Sequence, residues 1–120
     1  MTMEISKTYS FDSAHLLPKV PCEHKCRRLH GHTYRVTVFV KGEVNPEYGW
    51  VEDFGNISKI MKPLIDDELD HRYLNDIPGL ENPTAENICI WIWNKVKPKL
   101  PKLSKVRIEE TCTSACEYSG

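Results

Sequence analysis

Cys26-Arg27-Arg28-Leu29-His30-Gly31-His32-Thr33-Tyr34-Arg35-Val36-Thr37-Val38-Phe39-Val40 contains a long alternation. Tyr34, Val36, Val38 and Val40 stand against Thr33, Arg35, Thr37 and Lys41, the period of two expected of a half-buried strand over residues 32–44. His30 and His32 fall in phase with the apolar set. Side chains on an extended backbone repeat every second residue, so the two imidazoles point the same way, with Cα atoms roughly 6.5 Å apart. A helix would set them on nearly opposite sides. A strand unbroken through Gly31 puts both rings on the valine face, whereas a bulge at that glycine would turn them.

Upstream, residues 3–15 alternate in the same manner. Ile5, Tyr9, Phe11 and His15 share one face, and Glu4, Ser6, Ser10 and Asp12 the other. His15 is therefore on the buried side of a neighbouring strand, positioned to bring a third imidazole to His30 and His32. Three nitrogen ligands with one position open describe a catalytic zinc ion rather than a structural one. Histidine is mostly neutral near pH 7 and needs little deprotonation to bind. Pro18 and Pro21 close the first strand, and a basic loop, residues 22–28, leads to the second.

Cys26 stands four residues before His30 and can be read in two ways. As a fourth ligand it would close the site and make a structural zinc module. As a thiolate base or nucleophile it would be favoured by the metal and by Lys25, Arg27 and Arg28. Spacing alone leaves both open. Cys22/Cys26 and Cys112/Cys116 also form two C-x3-C pairs, a weaker candidate for a four-thiolate site because the usual pairs are C-x2-C. Cys89 falls between apolar residues and reads as core, and His24, in a charged loop, as solvent-exposed.

After the second strand, Asn45-Pro46-Glu47-Tyr48-Gly49 signals a turn and Trp50-Val51-Glu52 a short extended piece. Asp53 can cap a helix carrying Phe54, Ile57, Ile60, Met61, Leu64, Ile65 and Leu69 at helical spacing, which Pro63 should kink or split. Thr84 caps a second helix with Ile88, Trp91, Ile92 and Val96 on one face, ended by Pro98 and Pro101. Ser104–Thr111 reads as a third strand, with a short fourth near Glu117-Tyr118. Strand, strand, helix, helix, strand, strand predicts an α+β fold, a four-stranded antiparallel sheet with two helices packed on one face. Both sheet edges are left open, and oligomerisation is the economical remedy.

Two acidic positions add to the histidines. Asp70-His71 follows the first helix; the acid can orient the imidazole in a proton relay, or the histidine can simply answer the helix dipole. Glu110 aligns with Val106 and Ile108 on the buried face, and Glu109 with Lys105 and Arg107 on the wet one. An inward carboxylate needs a partner, either a ligand with adjacent N–H donors or an internal ion pair.

With 120 residues, 40% apolar and 28% charged, the chain predicts one domain spanning 1–120 with one core. A net charge of −1 argues against nucleic acid as a partner. No apolar run reaches membrane-span length. The start Met1-Thr2-Met3-Glu4-Ile5 lacks a signal-peptide pattern, and five cysteines are an odd number, so the expectation is a reduced, cytoplasmic protein.

Phe11–His15, CRRLHGHTY at 26–34, Gly49–Phe54, LDHRYLNDIPG at 69–79, ENPTAE at 81–86 and Glu110-Thr111-Cys112 together resemble the 6-pyruvoyl-tetrahydropterin synthase family. The C-x3-H-G-H spacing resembles its 6-carboxy-5,6,7,8-tetrahydropterin synthase branch in the queuosine pathway; the pyruvoyl branch has a longer gap. The resemblance implies the tunnelling fold, in which strands of several subunits join into a barrel, as a hexamer built from a dimer of trimers. It implies zinc on His15, His30 and His32, Cys26 as proton acceptor, an Asp70–His71 relay and Glu110 as pterin anchor, in a site between subunits. The implied reaction turns 7,8-dihydroneopterin triphosphate into the 6-carboxy product with release of acetaldehyde and triphosphate. The alternative on the same scaffold is 6-pyruvoyl synthesis, which eliminates triphosphate without cleaving a carbon–carbon bond. Cys22 matches none of these motifs.

Overall fold

A computed structural model describes residues 1–120. Two long strands, β1 (Thr2–His15) and β2 (His30–Glu43), pair antiparallel along their whole length and are followed by α1 (Phe54–Pro63), α2 (Ala85–Val96), β3 (Leu103–Thr111) and β4 (Ser114–Tyr118). The sheet order is β1-β2-β3-β4, every pair antiparallel. The helical layer lies over one face, with α2 on β3 and β4 and the segment after α1 on β1. The core lies between them. Tyr34, Val36, Val38 and Val40 of β2, Ile57 and Met61 of α1, and Ile88, Ile92 and Val96 of α2 are all buried in it. These are the positions that the two periodicities select.

Both expected caps form. Asp53 accepts from the Gly55 amide at 2.8 Å, and Thr84 accepts from the Asn87 amide at 3.1 Å, each relieving one free donor of a first turn. Pro63 is the last residue of α1, and the chain does not break there. It continues as a π-helical turn, Leu64–Leu69, with Leu64, Ile65 and Leu69 buried. The wider turn changes the helical phase and delivers Asp70 to the edge of β1. Phe54, in phase with the buried set, is exposed, and Trp50-Val51-Glu52 forms bends rather than strand. Asn45 accounts for this, since its carboxamide oxygen takes the amides of Glu47 and Tyr48 and shapes a tight loop instead.

Register matters most at three places. His15 stands directly opposite His30, and Ser13 opposite His32, with no bulge at Gly31. Ser104 is an extra residue in β3, between the partners of Phe39 and Val40. Glu110 is likewise skipped in the β3–β4 ladder, where Glu109 faces Ala115 and Thr111 faces Ser114. A bulge of this kind re-aims a side chain.

The sheet edges are less bare than the sequence implies. The outward backbone of Asp12 and Ala14 is taken: Asp12 O accepts from the His71 amide at 2.6 Å, and the Ala14 amide donates to Arg72 O at 2.9 Å. The same parity leaves the outward groups of Glu4, Ser6, Thr8 and Ser10 without a strand partner. No helix is long and apolar enough to cross a membrane.

Candidate metal and active site

The registers of β1 and β2 dictate that His15, His30 and His32 meet on one face. Their centroids lie 4.6 Å (15–30), 5.1 Å (15–32) and 4.9 Å (30–32) apart. One ligand atom from each falls within 4.8 Å of the other two. Backbone carbonyls fix which nitrogens are presented. His15 Nδ1 lies 2.9 Å from Pro83 O, and His30 Nδ1 lies 2.7 Å from Arg28 O. A carbonyl only accepts, so each Nδ1 carries a proton and donates it, leaving the Nε2 lone pairs to face each other across 3.0 Å. Two lone pairs so placed repel until a cation lies between them. Tyr34 Oη, buried, stands 3.1 Å from His15 Nδ1 as a second partner.

His32 supplies the third lone pair. Its Nε2 is buried without a hydrogen-bond partner, and an orphaned polar atom in a folded protein calls for a ligand. Burial holds His15 below its ordinary value despite the opposing pull of Pro83 O, and burial likewise holds His32 low against the attraction of Glu110. Both are therefore neutral near pH 7, the form that ligates. This donor set, with carbonyls orienting the imidazoles from behind, fits a divalent metal ion.

Cys26 lies beside this cluster but outside it. It is pinned through its backbone: its amide donates to His24 Nδ1 at 3.0 Å, and its carbonyl accepts from the Leu17 amide at 2.8 Å. It shares a cavity of about 580 Å³ with Lys25, Arg28, His30, His32, Glu110 and Ser114. The closed-site reading, with Cys26 as a fourth ligand, is not what the side chains form. Nor do the four outer cysteines gather; all five cysteines are free, with Cys22 and Cys112 exposed. Cys89 is buried as expected, its thiol pushed up to about 12, first by burial.

Glu110 is brought to the cluster, its Oε1 3.7 Å from His32 Nε2. It also borders a second cavity of about 400 Å³, with Thr84, Ala85 and Glu86 at the start of α2. Glu109 points the other way, 3.8 Å from both Arg35 and Arg107.

Asp70 and His71 form a pair, Asp70 Oδ2 accepting from His71 Nδ1 at 2.9 Å. His71 lines a different cavity, of about 610 Å³, with Asp12, His32, Thr33, Arg72 and Tyr73. Cys26 is not in the wall of that cavity. Asp70 is held below the ordinary carboxylate value, first by the Asp12 amide donating to its Oδ1 at 2.9 Å and then by His71. His71 adopts φ 55°, a left-handed conformation that histidine tolerates better than most residues and that these bonds hold in place.

Several supporting groups escape a reading of the sequence. His24 is exposed, as expected, yet caps the turn carrying Cys26. The Ser13 hydroxyl, buried, donates to Leu69 O and accepts from the Arg72 amide, tying β1 to the Asp70 corner. Pro83 O and Arg28 O have no sequence signal, because any residue supplies a carbonyl.

The family model of 6-pyruvoyl tetrahydropterin synthase matches residues 4–120. The chain belongs to this family. Among its relatives in the family, a 6-carboxy-5,6,7,8-tetrahydropterin synthase of Synechocystis sp. is 45% identical over 119 residues, covering 95% of this chain and 91% of that one. A dihydroneopterin monophosphate aldolase of Pyrococcus furiosus is 39% identical over 104 residues, covering 84% and 83%. The solved 6-pyruvoyl tetrahydropterin synthase of Caenorhabditis elegans superposes with a TM-score of 0.92 at 32% identity, covering 100% of this chain and 96% of that one. The antiparallel sheet and two helices described above are thus the family's fold, and the synthases of this family are enzymes.

Proposed function

We propose that this protein, acting as one domain, is a zinc-dependent carbon–carbon lyase. It would convert 7,8-dihydroneopterin triphosphate and water to 6-carboxy-5,6,7,8-tetrahydropterin, releasing acetaldehyde and triphosphate, in queuosine biosynthesis. The observation that carries the reading is the place of Cys26, on the wall of the cavity that His30, His32 and Glu110 share but outside the ligand cluster. The 45% identity to a 6-carboxy-5,6,7,8-tetrahydropterin synthase supports the choice of product.

His15, His30 and His32 would hold the zinc through Nε2. When bound, such an ion supplies a Lewis acid for the side-chain hydroxyls of the substrate. Cys26 Sγ takes a proton from the substrate side chain, and its backbone pins keep it at one point of the wall. Glu110 accepts from the ring amide N–H and the exocyclic amine, a paired contact that fixes the ring relative to Cys26. Asp70 accepts from His71 Nδ1, so that Nε2 is the position from which a proton is returned.

His71 opens to a separate cavity, so the pair would serve the site of a second copy of the chain. The unpaired outward backbone of β1 supports assembly through sheet edges into a barrel, as a hexamer of two trimers. The absence of any disulfide is in keeping with a cytoplasmic enzyme.

Pyruvoyl formation is the second reading, favoured by the family model's own name and by the C. elegans structure. Incubation of the zinc-loaded protein with 7,8-dihydroneopterin triphosphate, followed by mass spectrometry, separates the two. Acetaldehyde together with a 6-carboxy product is expected. A product keeping all three side-chain carbons would overturn the lyase reading.

A further inference from the structure

The cavity beside Cys26 has two electrical ends. Glu110 is the one carboxylate in its wall and stands next to His32. Lys25 and Arg28 stand in the same wall, and neither makes an ion pair anywhere in the chain. Three cations occur in this turn, but only two are available. Arg27 donates through Nη1 to Val20 O at 3.0 Å and does not line the cavity. The available pair is also firmly mounted. The Arg28 amide donates to Lys25 O at 3.1 Å, and Arg28 O holds the metal-site residue His30 through its Nδ1. Ser114 and Thr111 add hydroxyl groups to the lining.

A ligand with N–H donors at one end and a polyanion at the other has one favourable orientation in such a cavity. The donors go to Glu110 and the anion to Lys25 and Arg28, since unpaired cations make charge-assisted hydrogen bonds to phosphate oxygens. Phosphate number is also a variable among relatives, because the Pyrococcus furiosus protein is named for a monophosphate.

We propose that Lys25 and Arg28 hold the substrate's phosphate chain and set the preference for triphosphate over shorter or absent chains. This assignment rests on the proposed activity and names the part of the substrate that these two residues recognise. Arg28 supplies a planar fork that can bind two oxygens at once, and Lys25 a point charge.

The test uses the zinc-loaded protein with inorganic triphosphate as the probe, binding measured by calorimetry. Lys25→Ala and Arg28→Ala should each weaken binding about ten- to a hundredfold, and Arg28→Lys should lose less than Arg28→Ala. Arg27→Ala should bind as the parent does. With the pterin triphosphate, the same two alanine variants should raise KM by a similar factor while kcat and zinc content hold. Phosphate-free dihydroneopterin should bind both variants as it binds the parent. Unchanged triphosphate binding in both variants, or an equal loss in Arg27→Ala, overturns the assignment, as does a fall in kcat at constant KM. A parent protein that binds triphosphate through Lys25 and Arg28 but turns over no pterin would instead overturn the proposed activity, so the two failures are distinguishable.

Discussion

The histidine trio and the Asp70–His71 pair both depend on residues 12–15 of β1, yet His71 and Cys26 line different cavities. The trio uses the face of the strand. Register places His15 opposite His30, and Pro83 O and Arg28 O turn each ring so that its Nε2 faces inward. The pair uses the edge of the same strand, where Asp12 offers its amide to Asp70 and its carbonyl to His71. One cavity receives His30 and His32 together with Cys26 and Glu110, and another, which His32 also borders, receives His71. A metal site can be local because cross-strand neighbours are close by construction. An acid–base pair on the strand edge looks outward, to whatever joins that edge.

The contrast can be broken most forcefully at the metal. His32→Ala removes the orphaned Nε2 and should lower zinc affinity by more than about a hundredfold, measured by competition with a chelator. Cys26→Ala should leave zinc content unchanged while kcat falls by about 10² to 10⁴. Loss of zinc in that variant would make Cys26 a ligand and erase the distinction between cluster and wall. Glu110→Gln keeps the shape of the side chain and should weaken pterin binding about tenfold or more, again at constant zinc.

The smallest effect concerns the edge. Asp70 has its folded value depressed below the ordinary 3.8, so it binds its proton less readily folded than unfolded. Its contribution to stability is therefore present above pH 3.8 and is lost as pH falls through the folded value. Asp70→Asn should unfold earlier than the parent at neutral pH in denaturant titrations, and the two curves should converge in acid. A gap that persists at the lowest pH would mean that the carboxylate's charge is not what Asp12 and His71 hold.

Much of this was legible in the residues. Alternation placed His15, His30 and His32 on one buried face, and the caps at Asp53 and Thr84 mark both helix starts. Pro63 announced an interruption, but not that the chain would continue as a π-helical turn, because the buried Leu64, Ile65 and Leu69 suit either winding. Phase alone gave Glu110 its direction, while the bulge that frees it from the β3–β4 ladder has no glycine or proline to announce it. The separation of Cys26 from His71 was invisible, since a spacing of forty-odd positions carries no distance. The covering of β1's outer edge was invisible too, because backbone groups do that work and every residue has them.

Complementation between two inactive variants tests the two-region account most directly. Cys26→Ala and His71→Ala would each be purified, shown to be inactive, and mixed into hetero-oligomers by joint refolding. If the metal with Cys26 comes from one copy and His71 from another, mixed assemblies regain activity, up to about a quarter of the parent's for random equal mixing. Assemblies proven to be mixed yet still inactive would contradict it, placing Cys26 and His71 in the same chain's site.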